Sequence, residues 1–283
     1  MSQSHNDQSD QNSHPQTIKS FGDEWKRFDQ LALPKAEAHQ IFMEYFEIFP
    51  WDTLPQAPHG FDMGCGSGRW ARFVAPRVGH LHCIDPSLGI EVAKKTMAGA
   101  NNVTFYRASV DQHTLPAGSQ DFGYSLGVLH HILDTEDGIR KCVKILKPNA
   151  PFLLYLYYAF DNRSWLYRAI WRCSDVLRSA ICRLPPIIKN VITDVIAALV
   201  YWPLARVSRL LYKFGIPTTG IPLSYYRKHS FYTMRTDSRD RFGTPLEHRF
   251  TRQQIEAMMQ RAGLRDIRFS SNAPFWCAVG FKS

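Results

Sequence analysis

The run Phe61-Asp62-Met63-Gly64-Cys65-Gly66-Ser67-Gly68-Arg69-Trp70 constrains this chain more than any other segment. It reads as a buried strand that meets an acid, then a turn of three glycines spaced two apart, then the first turn of a helix. Glycines at that spacing let the backbone pass close to a ligand where any side chain would collide. The helix that follows, from about Arg69, offers unpaired N–H groups to a polar or anionic ligand end. A dinucleotide site asks for Gly-x-Gly-x-x-Gly, whereas the order here is Asp-x-Gly-x-Gly-x-Gly. An acid two residues ahead of the first glycine suits a ligand that carries a cation near the turn, held indirectly by Asp62.

Further signals follow along the chain. The strand His80–Ile84 ends at Asp85, with Pro86 next, 23 residues after Asp62. An acid about 20 residues past such a loop accepts hydrogen bonds from ribose hydroxyls; the plain alternative is a strand-end acid that caps the next helix. A third strand, Val103 to Ala108, ends at Ser109-Val110, with Asp111 beyond. A fourth, Asp121 to Leu126, leads into Gly127-Val128-Leu129-His130-His131 and then a helix with Ile139, Val143 and Leu146 on one face. Lys147-Pro148 breaks that helix before an apolar fifth strand, Phe152–Leu156. Near the end, Thr251-Arg252-Gln253-Gln254 is a capping box, Ala262-Gly263 stops its helix, and Leu264–Phe269 and Phe275–Phe281 read as two closing strands. Strands alternating with helices predict an α/β fold with a sheet covered on both faces.

These motifs, over about residues 57–160 and 247–281, resemble the class I S-adenosylmethionine-dependent methyltransferases, in their type 11 and quinone-biosynthesis-like branch. The resemblance implies a doubly wound, mostly parallel, seven-stranded Rossmann-like sheet and S-adenosyl-L-methionine as cofactor. It places the cofactor against Asp62, Gly64, Cys65, Gly66, Gly68, Asp85, Pro86, Ser109, Val110 and Leu126. The family has Asp plus a small residue at the adenine edge; here Ser109 stands in the acid's place and Asp111 lies two residues on, so that role stays open between them.

Similar His-His pairs occur after the fourth strand in that branch, which makes His130 and His131 the candidate catalytic residues. A sulfonium methyl is already activated, so the protein has chiefly to align an acceptor and exclude water. An oxygen acceptor must also lose a proton, for which an imidazole titrating near neutral pH is suited. O-methylation of a small or amphiphilic acceptor is therefore the leading expectation. Nitrogen or carbon methylation, or a cofactor-binding regulatory protein that transfers nothing, are the alternatives. Trp25, Tyr157 and Tyr158 are candidates for the acceptor wall, and His229 and His248 are further candidates; for each the alternative is ordinary packing or a bond to nearby backbone. Asp161-Asn162 invites comparison with metal-dependent relatives, but Ser125 occupies the place where those carry an acid, so no metal is expected.

Composition divides the chain into four parts. Residues 1–17 are almost all polar and predict a disordered tail. Residues 18–56 contain Phe21, Trp25 and Phe28 on one helical face, either a lid over the cleft or a helix packed on the sheet edge. Residues 57–161 and 236–283 form the cofactor-binding domain, and 162–235 a helical cap. No secretory leader is recognisable, and six cysteines without paired spacing predict reduced thiols in a cytoplasmic protein without zinc.

The cap holds twelve Lys or Arg against two acids, Asp175 and Asp194, a net +10, while the rest of the chain is −1. It predicts one helix with Leu166, Ile170, Leu177 and Ile181 in a stripe, a break at Pro185-Pro186, and a second helix from Ile187 to Phe214, kinked at Pro203. The uncharged run Val195–Ala205 is too short to cross a bilayer. Three readings compete for this cap. Its arginines simply solvate an outer face; or, with Trp165, Trp171, Tyr201 and Trp202, they seat an amphiphilic or anionic acceptor or rest peripherally on the anionic inner face of a membrane; or they bind a polynucleotide. Against the last, Ser125-Leu126-Gly127-Val128 stands where many nucleic-acid amine methyltransferases carry Asp/Asn-Pro-Pro-aromatic. The oligomeric state is not legible.

Overall fold

The computed structural model of the chain describes residues 12–218 and 220–283, so residues 1–11 of the expected tail lie outside the described residues. Residues 12–17 are ordered, contrary to expectation. Helix α1 (Pro15–Arg27) starts within them, capped by His14. Asn12 is buried; its backbone N–H donates to Asp111 at 3.0 Å and its side chain donates to the Asp134 carbonyl at 2.9 Å. Their polarity satisfies loop backbone, which composition alone reads as disorder.

Helix α2 (Lys35–Tyr45) is a core helix and no part of a lid. Its Ile41 and Phe42, with Phe46 and Phe49 just after it, pack on Trp70, Val74, Leu81, Phe122 and Tyr124 on one face of the sheet. The chain then alternates through β1 (His59–Met63), α3 (Ala71–Val74), β2 (His80–Ile84), α4 (Gly89–Thr96), β3 (Val103–Tyr106), β4 (Phe122–Leu126), α5 (Thr135–Ile145) and β5 (Pro151–Tyr155). After the cap come α10 (Arg252–Arg261), opened by the expected Thr251/Gln254 box, and the strands β6 (Leu264–Phe269) and β7 (Cys277–Lys282). The sheet runs β3-β2-β1-β4-β5-β7-β6, parallel except for β7, which is antiparallel to both neighbours. A second core on the opposite face joins Ile139, Cys142 and Val143 of α5 to Ile255 and Met259 of α10. Strand order reverses between β1 and β4, and a crevice opens beyond the carboxyl ends of strands at such a point.

The cap consists of α6 (Trp165–Ile181), α7 (Pro186–Ile196) and α8 (Trp202–Lys213), followed by α9 (Phe231–Gly243). A π-helical turn, Ala197–Tyr201, joins α7 to α8, so the irregularity precedes Pro203, which sits in the first turn of α8. Helix α9 packs against α6, α7 and α1, so the excursion ends near Gly243 and not at 235. The cap's two acids bolt it down. Asp194 pairs with Arg27 of α1 and Arg235 of α9, and Asp175 pairs with Arg178 and with Arg241 of α9. Beneath them Arg239, 1% exposed, lies 3.9 Å from Glu24 of α1 and donates to Asn190 of α7 at 3.0 Å.

Candidate active site

The crevice holds a cleft bordered by α1, the glycine turn after β1, the ends of β2 and β4, and α9. Gly64 has φ +87°, and a Cβ there would lie 2.4 Å from the Val128 side chain; Gly66 has φ +53°, and a Cβ would lie 2.9 Å from the Trp25 indole. Both positions therefore need glycine, for backbone conformation and for room. Gly68 faces Ala93 and Met97 of the α4 segment and lies off the cleft wall. Gly64, Cys65, Asp85, Pro86 and Leu126 line the cleft. Asp85 accepts from the Gly66 N–H at 2.8 Å and, through its other oxygen, from the Ser87 N–H and hydroxyl at 2.8 and 2.6 Å.

Asp62 lies behind the turn, 1% exposed, with Oδ2 unpartnered, and burial pushes its pKa up to about 8. Ser109 and Val110 are buried off the cleft wall, Ser109 accepting from the Asp111 N–H at 3.3 Å. Asp111 is held by Lys141 and the Asn12 backbone.

Of the two histidines, His131 reaches the cleft. Its Nδ1 is 2.7 Å from the Leu246 carbonyl, and its Nε2 has no partner. A carbonyl only accepts, so Nδ1 carries the hydrogen and Nε2 presents a lone pair. Burial lowers the pKa of His131, which keeps the ring neutral at pH 7. His130 sits behind it, fully buried, its ring 3.9 Å from both His131 and Tyr157, and burial holds its pKa well below the usual range. Tyr157 lines the cleft and donates its hydroxyl to Asp240. Tyr158 turns away to pack on Phe160 and Phe275. Phe21 and Trp25 of α1 line the cleft, and Phe21 meets His131 edge-on at 4.9 Å. Phe28 instead packs on Tyr232. His229 bonds the Tyr225 carbonyl at 3.0 Å, and His248 donates its backbone N–H to His130; neither lines the cleft.

Sequence reasoning did not single out Glu24, Arg69, Tyr45, Asp237 or Asp240, all on the cleft wall. Burial raises the pKa of Glu24, and that of Asp237 to about 6. Asp237 accepts from the Tyr226 hydroxyl at 2.8 Å. Arg69 stacks on Trp70 and Trp25, at 4.3 and 5.7 Å. The wall thus carries four carboxylates, Glu24, Asp85, Asp237 and Asp240, against one guanidinium. The one available signal was two acids three residues apart on a helix otherwise studded with arginine. Arg168, Arg172, Arg206 and Arg209 of the cap, which one of its three readings made a seat for an anionic acceptor, do not line this wall. The cleft is acidic and the cap's bases lie elsewhere.

A methyltransferase-domain family model matches residues 61–154. Over 108 residues the chain is 29% identical to the phosphoethanolamine N-methyltransferase of Plasmodium falciparum (isolate 3D7). That match covers 37% of this chain and 41% of the relative, so the chain spans about two-fifths of that protein's length. Among solved structures, a chain of the complex between the Haloferax volcanii Trm112 methyltransferase activator and a methyltransferase superposes with TM-score 0.50 at 13% identity, covering 93% of this chain and 97% of that one. The S-adenosylmethionine-dependent methyltransferase SibL, in its apo form, gives TM-score 0.50 at 14% identity over 87% of this chain and 56% of its own. At such identities these two likenesses speak for the fold alone.

Proposed function

Since this chain belongs to the class I S-adenosylmethionine-dependent methyltransferases, we propose that it methylates the nitrogen of a small or amphiphilic amine, seated by Asp237 and Asp240 and deprotonated by His131. The observation that carries this reading is the excess of carboxylate on the cleft wall.

The residues present fit the cofactor. Side-chain bulk is excluded at Gly64 and Gly66, and Asp85 is fixed by three donors with its face toward the cleft, placed for ribose hydroxyls. Glu24, whose buried Oε2 accepts no hydrogen bond, and Arg69 offer opposite charges to the ammonium and carboxylate of an amino-acid end. When bound, S-adenosylmethionine supplies an activated sulfonium methyl.

The chain's own groups do the rest. An amine arrives as a cation, which Asp237 and Asp240 attract and which Trp25, Tyr45 and Tyr157 meet with ring faces. It must become neutral before its lone pair is available. The free Nε2 of His131 takes that proton, while the Leu246 carbonyl holds the ring in the required tautomer. The aromatic wall keeps water out. The relative whose name specifies N-methylation supports a nitrogen acceptor.

The oxygen reading rests on the same Nε2, which equally suits a hydroxyl proton. Matched pairs of amines and the corresponding alcohols, assayed with labelled methyl donor, separate the two. Amines are the expected substrates, with Asp240→Asn raising their KM at least tenfold. Turnover of alcohols with amines inert overturns the proposal.

A further inference from the structure

The cap's outer surface is rich in exposed apolar side chains. Of the 21 large hydrophobic side chains exposed among the described residues, 17 lie between Trp165 and Ile216. They are ordered. On α6, Leu166, Ile170 and Leu177 fall on one face with Cys173, all exposed. On the helix from α7 into α8, Ile188, Val191, Val195, Leu199 and Trp202 step by three and four residues along another exposed face, which Leu210 and Phe214 continue. Exposed apolar stripes of this length mark an interaction site.

The opposite face of α7–α8 is committed to the protein. Lys189, Thr193, Ala197, Tyr201, Ala205 and Ser208 are buried, and Asp194 ties the helix to α1 and α9. Pro186–Lys213 is, by length and composition, apolar enough to cross a bilayer, with a mean hydropathy of 1.5 in its best window. The uncharged run read from sequence understated it. Yet a helix bolted to the body along one face has only the other to offer, which is the geometry of lying in an interface and not of spanning it.

Charge says what that interface is. Both acids of the cap are paired inward, whereas Arg168, Arg172, Arg209 and Lys213 are exposed and make no ion pair among the described residues. At 100° per residue Arg209 and Lys213 fall on the exposed apolar face of α7–α8, while Arg168 and Arg172 lie at the far edge of the exposed arc of α6, with Trp165 and Val176 between them and the Leu166–Leu177 stripe. Trp165 on α6 and Trp202 and Tyr212 on α8, all exposed, are side chains that favour the boundary between headgroups and acyl chains. A second copy of this chain would set one cationic surface against another.

We propose that the outward faces of α6, α7 and α8 form a docking surface that lies in the interfacial layer of an anionic bilayer. This stands independently of whether the acceptor is an amine or an alcohol.

Full-length protein is sedimented with vesicles of pure phosphatidylcholine, and with vesicles containing 30% phosphatidylserine, at 50 and 300 mM salt. The expected result is at least tenfold preference for the anionic vesicles at low salt. At high salt binding is weakened but not abolished, because the apolar stripe remains inserted. Arg168→Gln/Arg172→Gln/Arg209→Gln is expected to lose the preference, and Val195→Glu/Leu199→Glu to lose the salt-resistant part. Both variants should keep the wild-type melting temperature and cofactor affinity. Equal binding to both vesicle types, wild-type binding by both variants, or a protein that ignores vesicles and instead dimerises or binds an acidic protein through this face, overturns the proposal.

Discussion

Asp237 is a carboxylate that the fold holds against its own stability, and removing its charge should strengthen the protein while weakening the site. Burial moves its pKa from 3.8 to about 6. One pKa unit corresponds to about 1.4 kcal/mol, which sets an upper limit of about 3 kcal/mol. The side chain is half-buried beside the open cleft, and screening by cleft water brings the expected effect to about 1–2 kcal/mol. The folded-state pKa lies above the unfolded one, so the folded protein binds the extra proton. This contribution to stability is complete below about pH 4 and lost as pH rises through 6. Asp237→Asn retains an oxygen for the Tyr226 hydroxyl, now 2.8 Å away, and removes the charge. The variant should match wild type near pH 4 and exceed it by about 1–2 kcal/mol above pH 6.5, a gain of about 3–6 °C in Tm. Thermal and urea denaturation of cofactor-free protein, followed by circular dichroism between pH 4.5 and 7.5, measures this. A variant less stable than wild type at pH 7.5, or a stability gap that does not change with pH, refutes the reasoning.

His131→Ala should lower kcat by about 10²–10⁴-fold with cofactor affinity retained, as for a lost general base, whereas His130→Ala should act mainly on stability; steady-state rates and calorimetry separate the two. Gly66→Val places its side chain against the Trp25 indole at a φ of +53°, and should abolish cofactor binding by calorimetry while thermal unfolding stays cooperative. Arg239→Met strips the buried partner from Glu24 and should cost about 3–5 kcal/mol in urea titrations. Adding Glu24→Gln should recover much of that loss, and an unaffected single variant contradicts the pairing.

The strands and the glycine turn were legible because their patterns are local: apolar runs of five residues, Gly64 and Gly66, the box at Thr251 and Gln254. What sequence could not supply was direction. His130 and His131 sit in a single tight helical turn with their rings 3.9 Å apart, one behind the other, and only His131 meets the cleft. Tyr157 and Tyr158 follow β5 in extended chain, where successive side chains point to opposite sides, and again one is in and one is out. The basic excess of residues 162–235 was plain, but whether it faced the cleft or the solvent depended on α9. That helix has Arg235, Asp237, Arg239, Asp240 and Arg241 in one short stretch, a pattern that reads as a solvated surface until its neighbours are known.

Those alternating charges on α9 explain how a basic protein keeps an acidic cleft. Asp237 and Asp240 face the cleft. Arg235, Arg239 and Arg241 face the other way, toward Asp194 and Asn190 of α7 and Asp175 of α6. The cap's two acids are therefore consumed in fastening it to α9, and what remains on its outer surface is cationic. The two fields stay separate because a helix with its side chains is about 10 Å across, while the screening length at physiological salt is about 8 Å. Exposed arginines beyond α9 are screened before they reach the cleft. The carboxylates within the cleft, shielded from bulk salt, act on a bound cation almost undiminished. The outer charges thus govern where the protein rests, and the inner ones govern what it binds.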